Sequence, residues 1–148
     1  MVRVMATGVF DLLHVGHLHY LRSARGLGDE LVVVVANDDT VRRQKHEPIF
    51  GQDLRAELVG ALKPVDRVVI GHVGDPFRVV EEIRPDIIAL GYDQEQDPQD
   101  IVNELERRGL EIQVVRVGKF DGDLNGTRKI IRAVLDRRDR LYTRGEAR

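Results

Sequence analysis

Residues 2–36 read VRVMATGVFDLLHVGHLHYLRSARGLGDELVVVVA, and the order of patterns in that stretch decides the architecture. Val2 to Val9 is a short, mostly apolar run that reads as a strand. From Gly16 to Leu27, Leu18, Leu21 and Ala24 recur at helical spacing, and Gly26-Leu27-Gly28 supplies a stop. Leu31 to Ala36 is unbroken and rich in β-branched side chains, the pattern of a strand covered on both faces. Strand, helix, strand with no hairpin signal between them predicts a parallel crossover unit.

Outward from that unit the alternation continues. Gln52 to Leu62 is helical, with Leu54, Leu58, Ala61 and Leu62 on the side expected to face the sheet and Pro64 ending it. Arg67 to Ile70 is a third strand. Asp75 caps a helix with Pro76 in its first turn and Phe77, Val80 and Ile83 as its apolar face, and Pro85 closes it. Asp86 to Leu90 is a fourth strand. Asp97-Pro98 opens a helix through Ile101, Leu105 and Arg108, Gly109 stops it, and Ile112 to Val117 is a fifth strand. A last helix, about Thr127 to Leu141, carries Ile130, Ile131, Val134 and Leu135 as a stripe expected to be buried. Five strands alternating with five helices predict an α/β, doubly wound five-stranded parallel sheet, Rossmann-like. Residues 1–141 read as a single domain and 142–148 as a flexible C-terminal tail.

Composition narrows the function. The chain has 148 residues and no cysteine, which excludes disulfides, cysteine-bound zinc, iron–sulfur clusters and a thiol nucleophile, and suits the cytoplasm. Twenty-three Lys and Arg against 25 Asp and Glu leave a net charge of -2, so neither nucleic acid nor a membrane surface is an expected partner. The longest strongly apolar run is far shorter than the roughly 20 residues of a membrane span, and no signal pattern opens the sequence.

In such a sheet, ligands bind beyond the carboxyl ends of the strands, so the first turn, Gly8-Val9-Phe10-Asp11-Leu12-Leu13-His14-Val15-Gly16-His17, is the candidate site. His14 and His17 flank Gly16 where a helix opens, and free backbone N–H groups there favour an anion. Gly16 admits close approach and each imidazole can donate to a phosphoryl oxygen, so the turn suits phosphate. Asp93 follows the fourth strand, where it can accept from a ribose or base amine or serve only as a cap. Phe120 follows the fifth, where it can stack on adenine or belong to the core. Arg42, Arg43 and Lys45 after the second strand, with Arg128 and Lys129 at the last helix start, are cations for a departing pyrophosphate or simply solvated. His19 and His46 read as solvated and His72 has no visible partner. No carboxylate cluster reads as a metal cage, so a Mg²⁺ ion is expected to arrive with a triphosphate.

The turn resembles the H-x-G-H block of the nucleotidyltransferase superfamily. Leu27-Gly28-Asp29-Glu30-Leu31, Pro48-Ile49, Arg55 and Lys63-Pro64-Val65-Asp66 resemble its cytidylyl- and adenylyltransferases. Pro85-Asp86-Ile87-Ile88-Ala89-Leu90-Gly91-Tyr92-Asp93-Gln94 is similar to the corresponding block of archaeal-type FAD synthases, the FMN adenylyltransferases. The chain departs from the cytidylyltransferases before the last helix, where Gly122 to Ile131 stands in place of their R-T-x-G-I-S-T-T block, and from the FAD synthases at Gly126, where a serine is usual. The resemblance implies ATP and FMN as substrates, a divalent cation, His14, His17 and Lys45 as catalytic residues, and Val9, Phe10, Val15, Gly16, Asp93, Phe120, Thr127 and Arg128 around the nucleotide. It also implies a homodimer. At this length no room is expected for a riboflavin kinase domain. The alternatives are cytidylyl or adenylyl transfer to glycerol phosphate, a sugar phosphate or phosphopantetheine, and a non-catalytic nucleotide- or flavin-binding module.

Overall fold

The computed structural model describes residues 1–44, 46–122 and 124–141. The chain runs β1 (Arg3–Gly8), α1 (Val15–Arg25), β2 (Glu30–Val35), α2 (Asp38–Gln44), α3 (Gln52–Gly60), β3 (Arg67–Ile70), α4 (Arg78–Ile83), β4 (Ile87–Leu90), α5 (Pro98–Arg107), β5 (Gln113–Arg116) and α6 (Thr127–Leu141). All strand pairs are parallel, in the order β3-β2-β1-β4-β5, so the expected doubly wound sheet is present. The chain winds outward from β1 to β3, then returns to the other side of β1, which leaves a switch point between β1 and β4.

Alternation along the strands divides the core in two. Leu31, Val33 and Val35 of β2 pack with Leu21 and Ala24 of α1 and Val59 of α3, while Val32 and Val34 face Val79, Val80 and Ile83 of α4 and Leu105 of α5. Both faces being covered is why the strand has no polar position after Glu30. At the switch point β1 and β4 pair only as far as Ala6 and Ala89, whereas β1 stays paired with β2 through Gly8 and Val35. The Tyr20 hydroxyl enters that gap, accepting from the Thr7 N–H at 3.1 Å and donating to the Ala89 carbonyl at 2.6 Å. Burial raises its pKa, so the phenol stays neutral and can make both bonds.

Three expectations are corrected. The segment after β2 is not simply a basic loop: Asp38–Gln44 is helical, making six helices among the described residues, and Val41 is its buried residue. On α3 the inward face is Arg55 and Val59, while Leu54 and Leu58 are 53% and 41% exposed. Arg55 is drawn inside by four acceptors described below, and this rotates the leucines outward. On α6 no residue is buried: Ile131, Val134 and Leu135 are exposed and Ile130 is half-buried. The last seven residues lie outside the described structure.

Candidate active site

The turn after β1 is shaped by two residues in the left-handed region, Phe10 at φ 57° and Leu12 at φ 54°. This folds the chain sharply back and sends the Phe10 ring into the core, where it is 2% exposed. The ring stacks on Tyr20 with centroids 6.4 Å apart and meets His17 at 5.4 Å. Phe10 is therefore a floor under His17, and its side chain is not at the ligand edge; only its main chain can meet a nucleotide. Val15 opens α1 and is exposed.

His14 caps α1. Its Nδ1 accepts from the Gly16 N–H at 3.1 Å, and His17 Nδ1 accepts from the His14 N–H at 3.3 Å, a reciprocal capping box built from two imidazoles. The rings stack with centroids 3.8 Å apart. A neutral imidazole that accepts at Nδ1 carries its proton at Nε2, so the backbone itself selects the tautomer with Nε2–H as donor in both rings. Burial lowers the pKa of His14, opposed by the nearby Asp93 carboxylate. Burial, then the His14 ring, push His17 down to about 3, opposed by Asp11. The pair is a set of two neutral donors at the positive end of a helix.

The β5–α6 loop closes over the same point. A Cβ at Gly16 would run into the Asn125 carbonyl oxygen and the His14 ring, so this close approach requires glycine. Asn125 is buried, donates to the Phe120 carbonyl at 2.7 Å and accepts from Lys129 Nζ at 2.6 Å. The Thr127 hydroxyl donates to the Asp11 carbonyl at 3.2 Å, which ties the start of α6 to the turn after β1. The first turns of two helices thus meet beside the imidazole pair.

Behind the site stand two braces. Asp11 is 4% exposed, and its carboxylate accepts from the Ile49 and Phe50 N–H groups at 2.7 and 3.0 Å. Arg55 is fully buried and donates to the carbonyls of Phe50, Val9 and Ala36, each at 2.8 Å, and to Asp38 Oδ1 at 2.7 Å. One side chain thereby fixes the ends of β1 and β2 and the loop before α3. Burial raises the Asp38 pKa, but the bonds from Arg55 and Gln52 outweigh it and keep the carboxylate ionised.

Residues 5–140 match the cytidylyltransferase-like family. The chain belongs to that family. It is 59% identical over 145 residues to an FAD synthase of Aciduliprofundum boonei, covering 97% of both chains, and 50% identical over 136 residues to an FAD synthase of Thermoplasma acidophilum, covering 92% of this chain and 96% of that one. A solved structure described as a lipopolysaccharide core biosynthesis protein from Thermoplasma volcanium superposes with a TM-score of 0.81 at 50% identity, over 82% of this chain and 99% of that one. The resemblance read from the H-x-G-H turn and from residues 85–94 is borne out at the level of superfamily and of archaeal FAD synthases.

In this cytidylyltransferase-like chain, Asp93 lies on the exposed side of the loop after β4, near enough to His14 for its charge to be felt there. That loop is held by Gln94, whose Oε1 accepts from the Gly91 N–H at 2.6 Å, and by Arg116, which donates to the Gly91, Gln94 and Gln96 carbonyls. Phe120 is half-buried, 5.5 Å from the His19 ring. Arg128 is exposed at the start of α6. Arg42 is paired with Glu47 and Asp39, and Lys45 lies outside the described residues. His19, read as solvated, faces the Gly118 carbonyl at 3.1 Å, and His72, read as having no visible partner, faces the Glu82 carboxylate at 2.8 Å. A cavity of about 530 Å³ opens over the ends of β2 and β3, between Asn37, Asp38, Gln52 and His72. Among the described residues no three metal-ligating side chains converge, and the Asp11 carboxylate is engaged by two N–H groups.

Proposed function

We propose that the chain transfers the AMP moiety of ATP to FMN, forming FAD and pyrophosphate, in the cytoplasm, as a Mg²⁺-dependent homodimer formed by one domain spanning residues 1–141. The observation that carries this reading is the pair of stacked imidazoles whose Nδ1 atoms are both occupied by backbone N–H groups. The likeness to FAD synthases over nearly the whole chain supports FMN as the acceptor.

An oxygen of the acceptor phosphate attacks the α-phosphorus; that P–O bond forms as the bond to the β-phosphate breaks, and pyrophosphate leaves. The attacking oxygen is already ionised, so no base is needed, and the work of the protein is alignment and charge stabilisation. His17 Nε2–H is assigned to the α-phosphoryl oxygens and His14 Nε2–H to the triphosphate. Both are fixed before reaction by their Nδ1 bonds, so little reorganisation accompanies charge development. Main-chain groups at Val9, Phe10, Val15 and Gly16 are assigned to the phosphates, Asp93 to the ribose or base amine, Phe120 to adenine, and Thr127 and Arg128 to the triphosphate. Lys45 is assigned to pyrophosphate on the resemblance alone. A divalent ion arriving with the triphosphate would be held by phosphate oxygens and water and would supply positive charge to the pyrophosphate.

The test is an acceptor panel. Pure protein with Mg²⁺ and either ATP or CTP is offered FMN, riboflavin, glycerol phosphate and a sugar phosphate, the last because of the lipopolysaccharide description of the solved relative. Product with ATP and FMN is expected. Turnover of CTP with glycerol phosphate, or of ATP with the sugar phosphate, and none with FMN, refutes the acceptor and leaves the transfer chemistry standing.

A further inference from the structure

Two helices present apolar ridges that are exposed among the described residues. On α6, Ile131, Val134, Leu135 and Leu141 are 38%, 47%, 57% and 48% exposed, and on α3 Leu54 and Leu58 stand outward. An isolated helix of 15 residues is marginal in water, yet the first turn of α6 helps to build the site through Thr127.

The charges of the two ridges are opposite. Residues 127–141 hold six basic and two acidic residues, with Arg132 and Arg138 both exposed. The outward face of α3 holds Asp53 and Glu57, and its one basic residue, Arg55, is buried. Pairing α6 with another α6 would bring like charges together; pairing it with α3 neutralises them. We infer that α6 of one chain packs on α3 of a second copy, and the reverse, in a closed two-fold dimer whose two equivalent contacts match a basic apolar ridge to an acidic one. Stable interfaces begin at about 1,200 Å² in total, so each of the four helix surfaces must bury about 300 Å². The inference rests on the homodimer reading and is independent of the substrates.

Sedimentation of the full chain across the micromolar range tests it. The wild type is expected to be a dimer. Asp53→Arg with Glu57→Arg is expected to weaken pairing by at least about tenfold, as is Arg132→Glu with Arg138→Glu, and all four together are expected to restore it within about threefold. These positions are exposed, and circular dichroism verifies each fold. A monomeric wild type overturns the homodimer reading and this interface together. A dimer unaffected by either reversal, or a fourfold variant that stays monomeric, overturns the interface alone.

Discussion

Replacing Arg55 with methionine keeps most of the side-chain volume and removes every donor. Three carbonyls, those of Val9, Ala36 and Phe50, lose a charge-assisted bond of 2.8 Å, and Asp38 loses its 2.7 Å partner. Removing one partner of a buried ion pair costs about 3–5 kcal/mol when the other charge stays buried. Asp38 retains about a quarter of its side-chain exposure and can recover water, so its share is small. The carbonyls lie inside, and leaving such groups unpaired costs about 1–3 kcal/mol each at most, less whatever relaxation or water supplies. The expected loss is therefore about 3–5 kcal/mol, read from urea unfolding, or about 6–20 °C in melting temperature for a chain of this size. Lysine at the same position has one ammonium and cannot reach four acceptors in three loops, so it should recover less than half of the loss. Because Val9 begins the turn that carries the imidazoles, turnover should fall even at temperatures where the variant is folded. A methionine variant within about 1 kcal/mol of wild type, or a lysine variant equal to it, would refute the idea that this guanidinium organises the site.

Other perturbations read different parts of the account. Gly16→Ala drives a methyl group into the Asn125 carbonyl and the His14 ring; at least about 2 kcal/mol of stability and most ATP binding should be lost, and retained binding in a calorimetric titration would contradict the close approach. Asp11→Ala leaves the Ile49 and Phe50 N–H groups without their acceptor and should cost about 2–4 kcal/mol in urea unfolding; a loss below 1 kcal/mol would show that water replaces the carboxylate. His17 has an ordinary value of 6.5 when unfolded and about 3 when folded, so the unfolded chain binds the proton first. Stability is then full above pH 6.5 and falls as the pH drops toward 3, by about 2 kcal/mol at pH 5, a slope that His17→Asn should make markedly shallower while His14, also lowered by burial, keeps a remainder. Equal slopes in both proteins would place the acid sensitivity elsewhere.

The parts of the molecule that were legible in the sequence are those where one pattern has one physical meaning. Leu31 to Ala36, short and β-branched, reads as a doubly covered strand, and H-x-G-H after a strand marks a helix start beside an anion. The helix Asp38–Gln44 escaped notice because Val41 is its one apolar residue and no periodicity exists to detect. Leu54 and Leu58 misled because helical spacing identifies a face without saying what that face meets; the same holds for Ile131, Val134 and Leu135. Arg55 was visible as part of the family resemblance, but its burial was not, because a charged residue on a helix ordinarily faces water and its four acceptors come from segments distant in sequence. A charged residue four positions before Val59, on the stripe adjoining the leucines, was the available signal.

Transfer by the imidazole pair is tested by a time course of FAD and pyrophosphate from FMN, ATP and Mg²⁺, run in parallel with wild type and with His17→Asn. Asparagine keeps a donor of similar reach but cannot follow charge as it develops on the transferring phosphoryl group. The wild type should release one pyrophosphate per FAD. In the folded variant turnover should be lower by about 10²-fold or more, with ATP affinity within about tenfold. No FAD from the wild type, or a variant whose turnover stays within a few-fold of it, would contradict the assignment of transfer to this imidazole pair.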